Sequence, residues 1–341
     1  MTTESAPVVP ERRLGVLSIA FMIVAASAPL TVIAGGAPTS FAVSGLTAVP
    51  ASYFLLAAVL AVFAFGYSAM ARHVRNPGAF YAYVSRGLGR IAGVGSAISA
   101  MIAYAAMLIG IYAMFGFTIS DWLATRFGIT TPWWLWVFVG IVVIGLFGVS
   151  RIDFSAKVIA ILVALEFLVV IVLDIVGLAV APEGYSLESM NPASLIAPGI
   201  GVLLAFGVAA FMGFESAAIY ANEAKDPGRT IGRATFLAVI AVGLFYGFSA
   251  WALAVGVGTS QVVEQSTEFG PALVFVFLSQ HVPAIIIDVA NLLFISSLFA
   301  ALLAFHNGSS RYIAELGREE VAPPLFAASD AGVHLWPARS R

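Results

Sequence analysis

Two short stretches of this chain hold residue types that expose backbone hydrogen-bonding groups inside otherwise apolar runs. The first reads Ile23-Val24-Ala25-Ala26-Ser27-Ala28-Pro29-Leu30-Thr31 and continues into Gly35-Gly36-Ala37-Pro38. Proline has no amide proton and clashes with the preceding turn, so Pro29 frees carbonyls near Ala25. The second reads Phe206-Gly207-Val208-Ala209-Ala210-Phe211-Met212-Gly213-Phe214-Glu215-Ser216, with two glycines and one carboxylate. Amides at the positive end of a helix hold a carboxylate, and unpaired carbonyls accept hydrogen bonds from an ammonium. That pairing suits an α-amino acid or a related amine. The candidate contacts are Val24, Ala26, Ser27 and Ala28 in the first stretch. In the second they are Phe206, Gly207, Ala209, Ala210, Phe211 and Gly213. A plain proline kink would explain the first stretch alone; a second break five spans later is what pairs them.

Ionisable and hydroxyl groups within apolar runs are the next candidates. Glu215 stands beside the second break, where it could titrate, or equally accept hydrogen bonds from freed amides. Glu166 and Asp174 are eight residues apart, hence near one helix face, and could form a proton path. The structural reading is preferred for both, with Asp174 placed near the outer interface. Ser296 and Ser297 lie in the middle of a later run, where serine more often bonds its own preceding turn than a cation. Tyr104 and Tyr112 are read as packing, and Asp288 as wet. His73, His281, His306 and His334 fall at ends or loops without spaced carboxylates, so no metal site is expected. No nucleophile–base pair, phosphate loop or cofactor motif is present, so neither an enzyme nor a cofactor is expected. The chain has no cysteine, which excludes disulfides and thiolate sites.

The elements that must position these residues follow from composition. Of the 341 residues 61% are hydrophobic and 10% charged, with a mean hydropathy of +1.00. Soluble domains carry roughly 25% charged residues, and no soluble fold could hide this much apolar surface. Spanning the hydrocarbon takes ~20 apolar residues. Eight such spans are expected: Leu14–Val43, Ala51–Ala71, Ile91–Ile119, Pro132–Val149, Phe154–Ala181, Pro198–Tyr220, Thr230–Val257 and Val282–Phe305. Phe269–Gln280 is too short to span and reads as an interfacial helix. With the N-terminus in the cytoplasm, all but Arg126 of the 16 basic residues lie inside, as the positive-inside rule requires. Trp133, Trp134 and Trp136 read as interfacial anchors. There is no cleavable leader and no basic patch for nucleic acid. The expected organisation is a tail over 1–13, a membrane domain over 14–326 and an atypical polar tail over 327–341.

Three further motifs carry a family resemblance. Phe211-Met212-Gly213-Phe214-Glu215-Ser216-Ala217 with Glu223-Ala224-Lys225-Asp226-Pro227-Gly228-Arg229-Thr230-Ile231 resembles an F-x-G-x-E…E-x-K-(N/D)-P-x-R signature. Arg75-Asn76-Pro77-Gly78-Ala79-Phe80-Tyr81-Ala82-Tyr83 is similar to a P-G-G-x-Y-x-Y loop, with Ala79 at the second glycine. Asn307-Gly308-Ser309-Ser310-Arg311-Tyr312-Ile313-Ala314-Glu315-Leu316-Gly317-Arg318 is similar to an S-R-x-x-x-A-x-(A/G)-R segment. All three are expected in cytoplasmic loops. Together they resemble the amino acid–polyamine–organocation (APC) superfamily of permeases, over about Arg12 to Phe326.

That resemblance implies an all-α, polytopic transmembrane bundle with five-plus-five inverted repeats and discontinuous helices one and six. The family's usual Gly-Ser-Gly at the first break is here Ala26-Ser27-Ala28, which implies carboxylate binding by the backbone of Ser27 and Ala28. Ala209 stands where members that take basic amino acids place an aromatic gate. Ser296 and Ser297 match hydroxyls that sodium-coupled members set against span one, and some proton-coupled members carry a lysine in span five. The family has about twelve spans, so a C-terminally truncated chain with an incomplete second repeat is expected. The functional expectation is a secondary transporter of an amino acid or amine in the cell (inner) membrane. Its partners would be the bilayer, the small-molecule substrate and a coupling proton, with sodium as the second choice. The alternative is a non-transporting remnant or membrane interaction protein.

Overall fold

A computed structural model describes residues 14–71, 79–150, 156–214 and 224–318. Span one is divided into α1 (Val16–Ala26), a π-helical turn (Thr31–Gly36) and α2 (Ala37–Ser44). It is followed by α3 (Val49–Ala71), α4 (Ala79–Leu88), α5 (Arg90–Phe127), α6 (Trp133–Ser150) and α7 (Ala156–Val180). Then come α8 (Ile200–Ala210), α9 (Pro227–Val257), α10 (Val262–Phe269), α11 (Leu273–Ser279) and α12 (Ala284–Arg318). Among the described residues there is no strand, only an isolated bridge between Leu14 and Ala224. Within α3, α5, α7, α9 and α12 lie five stretches long and apolar enough to cross a membrane, with shorter apolar helices in α6 and α8.

These helices are apolar on every side, as helices facing protein on one flank and lipid on the other must be. Ile91 and Val62 are 91% and 71% exposed, a cost in water but not in a bilayer. The core lies where α3 packs along α9 and where α7 and α1 lean on α9, while α5 gathers α4, α6 and α12. Small residues set the closest approaches, as is usual where lipid supplies no hydrophobic drive. A Cβ on Gly177 of α7 would lie 2.5 Å from the Ala252 carbonyl oxygen of α9. Trp133 and Trp134 begin α6 exposed, in keeping with interfacial anchoring.

Local expectations are corrected. The motifs do not lie wholly in loops: Ala79–Tyr83 of the second is in α4, Pro227–Ile231 of the first begins α9, and α12 continues through the third to Arg318. No proline interrupts it, and Ala314 and Leu316 are buried, with Leu316 packed beside Tyr81. The segment Phe269–Gln280, expected as one interfacial helix, is instead the last residue of α10, a 3-10 turn (Gly270–Ala272) and α11. Leu273, Val274, Phe275, Phe277 and Leu278 of α11 are buried in the protein, because α11 packs on α12, α7 and the π turn of span one. Arg126, the one basic residue expected outside, ion-pairs with Asp288 at 2.8 Å.

An acid outside the spans joins two connections. Glu183 accepts hydrogen bonds from the Ser260 hydroxyl and from the Ser260 amide at 3.0 Å. The hydroxyl first, then the amide, holds its carboxyl below the usual carboxylate value of 4.5. A group with a lowered folded pKa contributes stability at neutral pH and loses it as pH falls through that range. Acidification from neutrality to below about pH 4.5 should therefore lower the thermal midpoint of the wild-type protein slightly more than that of Glu183→Gln, measured in detergent.

Candidate functional site

Helix α1 stops at Ala26, three residues before Pro29. The Ser27 amide and hydroxyl both donate to the Val24 carbonyl, at 3.2 and 2.6 Å. Ala28 adopts φ 47°, a left-handed conformation that costs an L-residue about 1–2 kcal/mol. The helix restarts at Pro29, with the Val32 amide donating to the Ala28 carbonyl at 3.2 Å. Among the described residues the Ala28 amide has no partner. Ala28→Gly relieves the strain, less the extra chain entropy of glycine, and should hold or raise the thermal midpoint. Ala28→Val, β-branched in the same conformation, should lower it by more than about 1 kcal/mol equivalent.

Three other spans hold this break. Tyr246 of α9, fully buried, directs its hydroxyl at Ser27 Oγ and the Ser27 carbonyl, at 2.8 and 3.0 Å. Glu166 of α7, 3% exposed, accepts from the Leu30 amide at 3.4 Å and from Ser297 Oγ of α12 at 2.9 Å. Thr31 Oγ1 lies 2.8 Å from Ser297 Oγ, so donors run Thr31 to Ser297 to Glu166. A carboxyl group therefore sits on the positive end of the restarted helix, where a negative group is stabilised.

The second break lies between Ala210 and Phe214. The Phe211 and Met212 amides bond back to the Val208 and Ala209 carbonyls at 3.0 and 3.1 Å. Gly213 then takes φ 107°, open to glycine and strained for other residues. The Phe211 ring packs 6.5 Å from Tyr53 and 6.3 Å from Tyr246, centroid to centroid. One residue, Tyr246, thus touches both breaks: its hydroxyl meets span one and its ring meets the end of α8.

The predicted residues divide accordingly. Val24, Ser27 and Ala28 lie at the first break, and Ala26 is the last residue of α1. Ala210, Phe211 and Gly213 lie at the second, with Phe206 and Ala209 half-buried on α8 just before it. Gly207 faces α3, where an added Cβ would be 2.4 Å from Leu56. Ser296 donates to the Leu293 carbonyl of its own helix, whereas Ser297 faces span one. Glu215 and the rest of that motif to Glu223 lie outside the described residues. Beyond them Lys225 donates from its amide to the Leu14 carbonyl at 3.0 Å, tying that motif to the start of span one. Thr31, Tyr246 and the contact of Glu166 with the break were not anticipated. Thr31 had a signal, a hydroxyl just after the breaking proline; a tyrosine in an apolar span has none.

Interrupted helices meeting inside an apolar bundle define a multi-pass helical membrane protein of the transporter type. The chain belongs to a family described as "Amino acid permease", whose sequence model matches residues 14–334. It is accordingly a transporter of amino acids in the broad sense of that family. No curated protein matched the chain.

Proposed function

We propose that this chain carries an amino acid or related amine across the cell (inner) membrane by alternating access, coupled to protons, with its N-terminus in the cytoplasm. The observation that carries this reading is Tyr246 joining the two breaks, which brings the unpaired Ala28 amide together with the interrupted ends of α1 and α8. The substrate carboxylate would take the free Ala28 amide at the head of the restarted helix. Its ammonium would take second lone pairs of carbonyls at the ends of α1 and α8, which the breaks leave without the full helical ladder. No basic side chain is bonded at this level among the described residues, so recognition falls to backbone groups, and the apolar wall from Val24, Phe206 and Ala209 receives the side chain.

Proton coupling is assigned to Glu166. Its carboxyl is bonded to span one and span eight at once, so gaining or losing a proton alters the contact between them. Sodium is the weaker choice, because the Thr31 and Ser297 hydroxyls are already engaged with each other and with Glu166. The five-plus-five repeat remains part of this proposal, supported by breaks in spans one and six. Family membership over most of the chain supports transport over the remnant reading. The test is counterflow of labelled amino acids into proteoliposomes holding the full chain. Saturable exchange supports the proposal, and exchange no faster than in protein-free vesicles refutes it.

A further inference from the structure

A second carboxyl group in α7 lies apart from the break. Asp174 is 5% exposed and stands two turns outward of Glu166, ~12 Å along the axis. Its Oδ2 accepts from Ser249 Oγ of α9 at 2.9 Å, and its buried Oδ1 has no hydrogen-bond partner. An ionised carboxylate offers about four acceptor sites, and here a single hydroxyl serves them. No cation compensates: among the described residues the ion pair is Arg126 with Asp288. An ionised carboxylate with one bare oxygen and no cation is costly when buried, and taking up a proton removes that charge.

The surroundings place Asp174 beside the helix that holds the break. Ser249 is one helical turn outward of Tyr246 on α9, and Tyr246 reaches inward to Ser27. Of the elements packed on α7, α9 brings Tyr246 to this column, while its Arg229 and Arg233 lie in its first turns. Helices α1 and α11 carry no titratable residue. On α12, Asp288 is paired with Arg126 and His306 lies against Gly148 of α6. The other charged residues of α12 fall in its last turns.

We propose that Asp174 is a second proton-binding site, loaded on the outer side of the break and exchanging its proton with the Glu166 site during coupling. One proton leaves the Asp174 carboxyl and one arrives at the Glu166 carboxylate. The proposal rests on the proton-coupled reading above, but its test separates the two.

The full chain is reconstituted as wild type, Asp174→Asn and Asp174→Glu. Counterflow needs no net proton movement, whereas accumulation driven by a pH gradient does. Asparagine keeps the acceptor for Ser249 and cannot carry the proton. Asp174→Asn is expected to retain counterflow within about twofold and to lose gradient-driven accumulation at least about tenfold, with Asp174→Glu restoring it. Equal accumulation by Asp174→Asn and wild type would overturn the proposal. A wild type without counterflow refutes the transport reading instead. Infrared difference spectra of wild type minus Asp174→Asn give a readout independent of transport. A protonated-carboxyl carbonyl band lost in the variant supports the site; its absence from wild type across the pH range overturns it.

Discussion

Replacing Glu166 with leucine is expected to lower the stability of the protein by about 3 kcal/mol, while glutamine leaves the fold intact and removes proton coupling. Leucine deprives the Leu30 amide and the Ser297 hydroxyl of their acceptor. Each buried donor left unpaired costs about 1–3 kcal/mol. The Ser297 hydroxyl can turn toward Thr31 and recover part of this; the Leu30 amide is fixed by the backbone and cannot. Glutamine presents a carbonyl oxygen in the same place but holds no titratable proton. Thermal melts in detergent should therefore rank wild type and Glu166→Gln together, well above Glu166→Leu. In proteoliposomes Glu166→Gln should exchange amino acid while losing at least about tenfold in pH-driven accumulation. A glutamine variant that still accumulates substrate against its gradient would remove Glu166 from the coupling step.

The second large effect belongs to Gly213. Its φ of 107° is open to glycine, and an L-residue there costs about 1–3 kcal/mol unless the chain rearranges. Leucine relieves that strain only by drawing the turn toward helical geometry, which moves Phe211 and with it the Tyr246 ring. Gly213→Leu is expected to reduce counterflow at least about tenfold, because the end of α8 then presents a different set of carbonyls. Gly213→Ala should lie between. Measuring both by initial-rate exchange checks this, and unchanged exchange in Gly213→Leu would show that the second break plays no part in binding.

Much of this architecture was legible from residues one at a time. Long uncharged runs gave the spans because lipid leaves helices no alternative. Pro29 marked the first break, displaced slightly: the chain leaves the helix at Ser27 and Ala28, since the residue before a proline is the one pushed out of helical geometry. Gly213 marked the second. The partners were harder to read. The eight-residue spacing put Glu166 and Asp174 near one face of α7 but could not say which helices that face meets. In the fold it meets α12, α9 and the break itself, and Asp174 is buried against α9. Likewise Ser296 and Ser297 are indistinguishable in sequence, yet a rotation of one residue turns the first to its own backbone and the second to Thr31. The continuation of α12 was misread because Asn307-Gly308-Ser309-Ser310 resembles a loop. Tertiary packing at Ala314 and Leu316 overrides that local preference.

The central claim is that the two breaks form one substrate site, and the absence of cysteine from the chain permits a direct measurement. Ala209→Cys places a single thiol half-buried on the last turn of α8, and its labelling by a small thiosulfonate reagent can be timed in proteoliposomes. The account predicts that an amino acid that supports counterflow slows labelling at least about threefold, at concentrations that saturate exchange. Labelling at an unchanged rate while that amino acid is being exchanged would place the substrate elsewhere and contradict the two-break site.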